Sequence, residues 1–272
     1  MAKETLPISF VNTALGDEFN KRREFIRHRS PEQFAERFAE ALHIPGGLVA
    51  LAEVPGMGDT DPAVDKRSPF LIAVASHLGK DFQILQFADP RKERQMATLG
   101  LALITKLPII NSGLLFLPQP VKDNFLTYPY GAIKATFEYS GKEVDMVVTH
   151  YDPFHKILRK RNFEKDEEAG VNVQLEAFIK FFTPRIDKAG QRVPTGVVGD
   201  LNCDEMNTPA NTLVEKLRQL EYTEAITGPT IPGSSDRRAD RLFVTSELSV
   251  EQVDLFDTGS DHFGISASII SV

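Results

Sequence analysis

Ten short apolar runs limit what this chain can fold into. They occupy positions 8–11, 48–52, 70–75, 82–87, 101–105, 133–139, 144–149, 195–198, 242–245 and 264–269. Each has the length of a β-strand and is bounded by turn-forming or charged residues. Helical signals lie between them. Ser30 and Gln33 form a capping box around Pro31, and Phe34, Phe38 and Leu42 follow at helical spacing, so a helix is expected over 31–43 until Pro45, Gly46 and Gly47 stop it. Val171, Leu175, Phe178, Ile179 and Phe182 mark a second helix ahead of Pro184. Thr208 and Pro209 open a third through Leu213, Leu217 and Leu220. Strands interleaved with helices predict a layered α/β architecture. No repeat, low-complexity tract or Gly/Ser/Pro linker divides the 272 residues, so one domain spanning 1–272 is expected.

Composition excludes several classes of function. A net charge of -7 and a pI near 5.5 argue against a broad, nonspecific grip on a nucleic-acid backbone. No apolar run is long enough to span a bilayer. The opening residues MAKETLPISF lack the features of a secretory signal. The expectation is a cytoplasmic monomer, or a secreted or periplasmic protein if a signal has been removed. The single Cys203 excludes an intrachain disulfide, and with six scattered histidines it offers no zinc-type spacing.

Several apolar runs end on a polar residue. Asn12, Glu53 and His150 each close one, and Asp200 and Asn202 close another; Asp240 and the pair Asp261–His262 each open one. A polar residue where a strand turns is ordinarily structural, and each taken alone has that explanation. The set as a whole holds carboxylates, carboxamides and imidazoles with no activated Ser or Cys, which is the composition of a hard-cation site with acid/base groups. Residues i and i+2 of a strand share a side, so Asp200 and Asn202 are expected to reach one ligand together. The carboxylate would orient or deprotonate water while the carboxamide donates to an oxygen.

The motifs recur in a recognisable order: Asn12 after the first strand, AEV around Glu53, LITKLPI from Leu103, THY around His150, GDLN from Gly199 to Asn202, ADRLFV around Asp240 and SDHFG from Ser260 to Gly264. In this order the sequence resembles the endonuclease/exonuclease/phosphatase superfamily, the deoxyribonuclease-I-like phosphoesterases. The resemblance covers nearly the whole chain. It implies an α/β four-layer sandwich, two central mixed sheets flanked by helices, with a divalent-metal site at the mouth and hydrolysis of a phosphate ester. Glu53 matches the principal Mg²⁺ ligand, with Asn12 and Asp261 close to the metal or its waters and Mn²⁺ as a substitute. Asp200 and Asn202 match the pair that positions the attacking water and phosphate oxygens. Asp240 and His262 match a carboxylate–imidazole dyad, and His150 a phosphate-contacting histidine. Either Asp200 or His262 would serve as the base.

The expected substrate is a phosphodiester, in a nucleic acid or a phospholipid headgroup, cleaved by in-line water attack. A phosphatase for phosphoinositides or inositol polyphosphates is the alternative, and a noncatalytic binding protein fits less well because every matched position keeps the appropriate residue. Lys156, Arg159, Arg161 and Arg241 are the candidate substrate-binding cations, against the reading that they form a solvated face. SDHFGI and RADRLF look like the corresponding motifs of Mg²⁺-using tyrosyl-DNA phosphodiesterases, whereas FVNT lacks the Trp of that group. Two segments, GLLFLPQP from Gly113 and the Pro-rich turn around Thr230, fit a core strand and a turn better than a membrane or partner surface.

Overall fold

The computed structural model describes residues 4–13, 17–19, 25–28, 33, 47–54, 69–78, 82–87, 100–116, 131–151, 165–202, 209–226, 228–235 and 237–272. The first sheet has six strands in the order β13 (Leu248–Asp257), β14 (Phe263–Ser271), β1 (Leu6–Asn12), β4 (Leu48–Val54), β6 (Gly100–Thr105) and β5 (Gln83–Phe87). The second runs β11 (Tyr222–Glu224), β12 (Asp240–Thr245), β10 (Thr195–Asp200), β9 (Lys142–His150), β8 (Gly131–Tyr139) and β7 (Ile109–Phe116). A separate two-stranded ribbon pairs β2 (Asp17–Phe19) with β3 (Phe25–His28). Each large sheet contains one parallel pair, β1 with β4 and β9 with β10, among antiparallel neighbours.

The sheets pack face to face. Phe10, Ala50, Leu103 and Ile265 of the first meet Ile133, Met146, Val148, Val198 and Leu242 of the second in one buried cluster. Helix α1 (Pro69–Leu78) covers the outer face of the first sheet by setting Phe70, Leu71 and Val74 on Val11, Val49, Leu51 and Ile104. Helices α2 (Lys165–Phe182) and α3 (Pro209–Gln219) cover the second, with Phe178, Phe182, Leu213 and Leu217 against Val147, Val197 and Phe243. The layers run helix, sheet, sheet, helix, as expected. Central strands read as continuous apolar runs because both of their faces are buried.

Segment 70–75, expected as a strand, lies in α1. A short apolar run is compatible with either state. Pro69 favours the first turn of a helix, and burial at Phe70, Leu71 and Val74 with exposure at Ser76 and His77 follows helical spacing. Of the helix expected over 31–43, Gln33 is helical and the other residues lie outside those described. Of the segment from Gly113, residues 113–116 belong to β7, an edge strand on which Ile110 and Leu114 are exposed, and 117–120 lie outside the described residues. The turn around Thr230 is buried at Thr230 and Ile231.

Candidate active site

The two parallel pairs carry four polar residues to one edge of the sandwich. Asn12 ends β1, His150 ends β9, Asp200 ends β10, and Glu53 is the penultimate residue of β4. Their antiparallel neighbours start where they stop: Asp240 opens β12 opposite Asp200, and Asp261 and His262 lead into β14 beside β1. Side chains alternate along a strand, so Asn12, His150, Asp200 and Asp240 point the same way as the core residues Phe10, Val148, Val198 and Leu242, into the space between the sheets.

Glu53 needs a further device, because alternation after Ala50 and Ala52 would send it outward. The β4–β6 register shifts between Leu51 and Val54, a β-bulge, and Glu53 takes φ +53°. Its side chain then turns into the cleft, where Asn12 Nδ2 donates to Glu53 Oε1 at 3.1 Å. A left-handed backbone at a residue with a Cβ costs on the order of 1–3 kcal/mol. Thr13 opposes that cost from the next position after Asn12: its hydroxyl donates to the Glu53 carbonyl at 2.6 Å and its N–H to the Ala52 carbonyl at 2.9 Å. Thr13 did not stand out in the sequence, where it is one buried hydroxyl after Asn12.

Asp200 and Asn202 meet on one side for a different reason from the strand pleat. β10 stops at Asp200, and Asn202 lies beyond it at φ +49°, with its N–H donating to Asp200 Oδ1 at 2.8 Å in an Asx-type turn. Asn202 Nδ2 donates to the Tyr151 carbonyl at 3.1 Å and lies 3.3 Å from His150 Nε2. Gly199 permits the close approach of β10 to β9, since a Cβ there would sit 2.0 Å from the Thr149 carbonyl oxygen.

Asp200 Oδ2 is the hub. It accepts from Asn12 Nδ2 at 2.9 Å and lies 3.7 Å from His150 Nε2 and 4.0 Å from His262 Nε2. His150 Nε2 is also 3.7 Å from Glu53 Oε1. His262 Nδ1 is bound to Asp240 Oδ2 at 2.8 Å, and its Nε2 lies 3.9 Å from Asp261 Oδ1. Asp200 and Asp240 form a dry floor, while the side chains of Glu53 and Asp261 remain 24% and 21% exposed at the mouth.

Crowding four carboxylates around two imidazoles shifts their proton affinities. Burial, reinforced by the charge of Asp240, pushes the Asp200 carboxyl up to about 7. Desolvation also raises Glu53, against the opposing pull of His150. At His262 burial disfavours the cation, but Asp240, Asp200 and Asp261 together outweigh it and push the imidazole up to about 10. The site therefore has a shortage of positive charge. Asp240 Oδ1 is buried without a hydrogen-bond partner among the described residues, and ligand atoms of Glu53, His150 and Asp200 lie within 4.8 Å of one another, as do those of Asp200, Asp240 and His262. An oxygen-rich, anionic donor set of this kind fits a hard divalent cation.

Asn12, Glu53, His150, Asp200, Asn202, Asp240, Asp261 and His262 thus converge. Arg241 does not join them. It follows Asp240 on β12 and faces the helical side with Phe243, buried in an ion pair with Glu224 while its Nε donates to the Arg238 carbonyl at 2.9 Å. Lys156, Arg159 and Arg161 lie outside the described residues.

No protein-family model matches the sequence, and a search of curated proteins finds no match. Solved structures do match. An endonuclease/exonuclease/phosphatase family protein from Leptotrichia buccalis superposes with a TM-score of 0.66 at 16% identity, over 97% of this chain and 99% of that one. A mannosyl-6-phosphatase from Bacteroides thetaiotaomicron gives 0.63 at 16%, over 97% and 99%. D. rerio TDP2 in complex with a single-strand DNA product gives 0.61 at 13%, over 98% and 100%. The likeness extends over nearly the full length of each, and it shows that this chain has the fold of the endonuclease/exonuclease/phosphatase family proteins it matches.

Proposed function

We propose that this chain is a divalent-metal-dependent phosphoesterase, working with Mg²⁺ as a monomeric single domain and cleaving a phosphodiester of a nucleic acid or a phospholipid headgroup. The observation that carries this reading is the convergence of Asn12, His150 and His262 on Asp200 Oδ2, from strands of both sheets. Glu53, with Asn12 and Asp261, would hold the cation, which would supply positive charge for the nonbridging and leaving oxygens of the phosphate.

The side chains divide the remaining work. Asp200, near neutrality, takes the proton of the attacking water and aims it in line with the leaving group. His262, oriented through Nδ1 by Asp240 and still protonated at neutral pH, acts as a charged donor to the developing oxyanion, which favours Asp200 over His262 as the base. His150 presents Nε2 to a nonbridging oxygen from between Glu53 and Asp200. Asn202 commits its amide to the Tyr151 carbonyl at 3.1 Å, which sets the carboxamide beside His150, so its first task is to pack that imidazole in place.

The DNA product bound by TDP2 on the same fold supports a nucleic-acid diester, and the mannosyl-6-phosphatase keeps a monoester such as a phosphoinositide as the second reading. The test is Mg²⁺-dependent product release from 5′-tyrosyl DNA, abasic DNA, RNA, sphingomyelin and phosphoinositides, with Asp200→Asn in parallel. We expect turnover of one class and a loss of about a hundredfold or more in the variant, with its fold unchanged. Near-normal turnover in folded Asp200→Asn would remove Asp200 from its role. Metal binding without turnover of any substrate would leave a binding protein.

A further inference from the structure

We propose that Thr230 is a positioning residue for the Asp240–His262 pair, an inference that rests on the reading of that pair as part of a phosphoesterase site. The pair spans the two sheets: Asp240 opens β12 in the second and His262 precedes β14 in the first. A hydrogen bond of 2.8 Å between residues so placed requires the two strand starts to hold a fixed separation.

Local bonds fix each strand start on its own side. The Thr258 hydroxyl donates to the His262 carbonyl at 2.8 Å and the Ser260 hydroxyl accepts from the His262 N–H at 3.3 Å, which shapes the turn carrying the imidazole. The Leu201 N–H donates to the Ala239 carbonyl at 2.8 Å, which anchors the entry to β12 on the end of β10. Thr230 joins the two sides. Its hydroxyl oxygen accepts the N–H of Asp240 at 3.0 Å, and its carbonyl accepts the N–H of Phe263, next to His262, at 2.8 Å. Its own N–H donates to the Arg237 carbonyl at 3.0 Å, closing the loop back on itself just before β12. Thr230 is fully buried and Ile231 beside it is 1% exposed, so the bridge has no room to swing. One residue thereby bonds to Asp240 through its side chain and to the neighbour of His262 through its backbone.

Replacing the hydroxyl by a methyl in Thr230→Val keeps the shape and leaves the Asp240 N–H without its acceptor in a dry site. Asp240 then moves relative to His262, and small misplacements of this kind are expensive in rate. Two measurements test the proposal. In metal-free protein carrying ¹⁵N-labelled histidine, the Nδ1–H proton of His262, identified by its absence in His262→Ala, should be protected from exchange in the native chain and in Thr230→Ser. It should be lost in Thr230→Val, and in Thr230→Ala if the valine variant does not fold. In Mg²⁺-dependent hydrolysis of bis(4-nitrophenyl) phosphate, kcat should fall about tenfold in the variants lacking the hydroxyl, with KM and Mg²⁺ affinity within about twofold of native and recovery in Thr230→Ser. A protected signal in both Thr230→Val and Thr230→Ala, or its equal loss in Thr230→Ser, overturns the proposal. Loss of the signal in a chain whose native form hydrolyses nothing supports the positioning role and overturns the phosphoesterase reading instead.

Discussion

Glu53 is aimed by its backbone. The bulge in β4 and the left-handed φ at Glu53 turn a side chain that alternation would bury against α1 into the cleft, and Thr13 holds the strained carbonyl from behind. Thr13→Val removes that donor without changing shape. A hydrogen bond of this kind contributes about 1–2 kcal/mol, and 1.4 kcal/mol is tenfold in affinity. We therefore expect Mg²⁺ to bind Thr13→Val about tenfold more weakly by calorimetry, with the overall fold unchanged; native affinity in the variant would show that the bulge is held by other means. The candidate residues are legible in the sequence, because Asn12, Glu53, His150, Asp200, Asp240 and His262 all mark apolar runs. The reason they converge was less so. Asn202 reaches the cleft through a turn, and Arg241, one residue from Asp240, faces the other way.

Elements were legible in proportion to their burial. The central strands β1, β4, β6, β9 and β10 each carry an apolar run where they are covered on both faces, such as Met146-Val147-Val148 in β9. The edge strands β11 and β13 carry no clear strand signal because exposure mixes charge into them, as in Val250-Glu251-Gln252-Val253-Asp254. The run 70–75 within α1 reads as a strand because six consecutive apolar residues satisfy either periodicity. Gly199 is where two elements depend on a missing side chain. With a Cβ 2.0 Å from the Thr149 carbonyl, Gly199→Ala must push β10 away from β9, and we expect a loss of about 3 kcal/mol in chemical denaturation. The matched control is Gly113→Ala on edge strand β7, where the nearest atoms are 3.8 Å away and the change should stay within about 0.5 kcal/mol. Equal effects at both positions would overturn the close-approach account.

Across the whole molecule, the two sheets meet at one apolar interface and leave their polar strand ends at one edge, so the site's charge is a property of the assembled sandwich. Its proton affinities make stability depend on pH. The folded-state value of Asp200, about 7, lies above its ordinary 3.8, so this contribution is complete below pH 3.8 and is lost as the pH rises through 7. His262, raised from 6.5 to about 10, contributes fully below pH 6.5 and loses that contribution as the pH rises through 10. Both changes have the same sign. Metal-free protein should melt at lower temperature as the pH rises from 5 to 9, and Asp200→Asn should melt above the native chain at pH 8. Mg²⁺ should flatten the native profile by supplying the charge that protons supply in its absence. A metal-free profile that does not differ between native protein and Asp200→Asn would overturn this account.

By itself the sequence determined the layered α/β class and marked the polar strand-end residues proposed to carry the chemistry. Apolar period and strand-end polarity are local properties, written wherever a strand is buried and then stops. Tertiary structure decided which of those residues meet, because convergence depends on a bulge at Glu53, a missing side chain at Gly199 and a bridge at Thr230 that joins two sheets. These depend on distances between segments far apart in the chain, and no local pattern of residues encodes such distances.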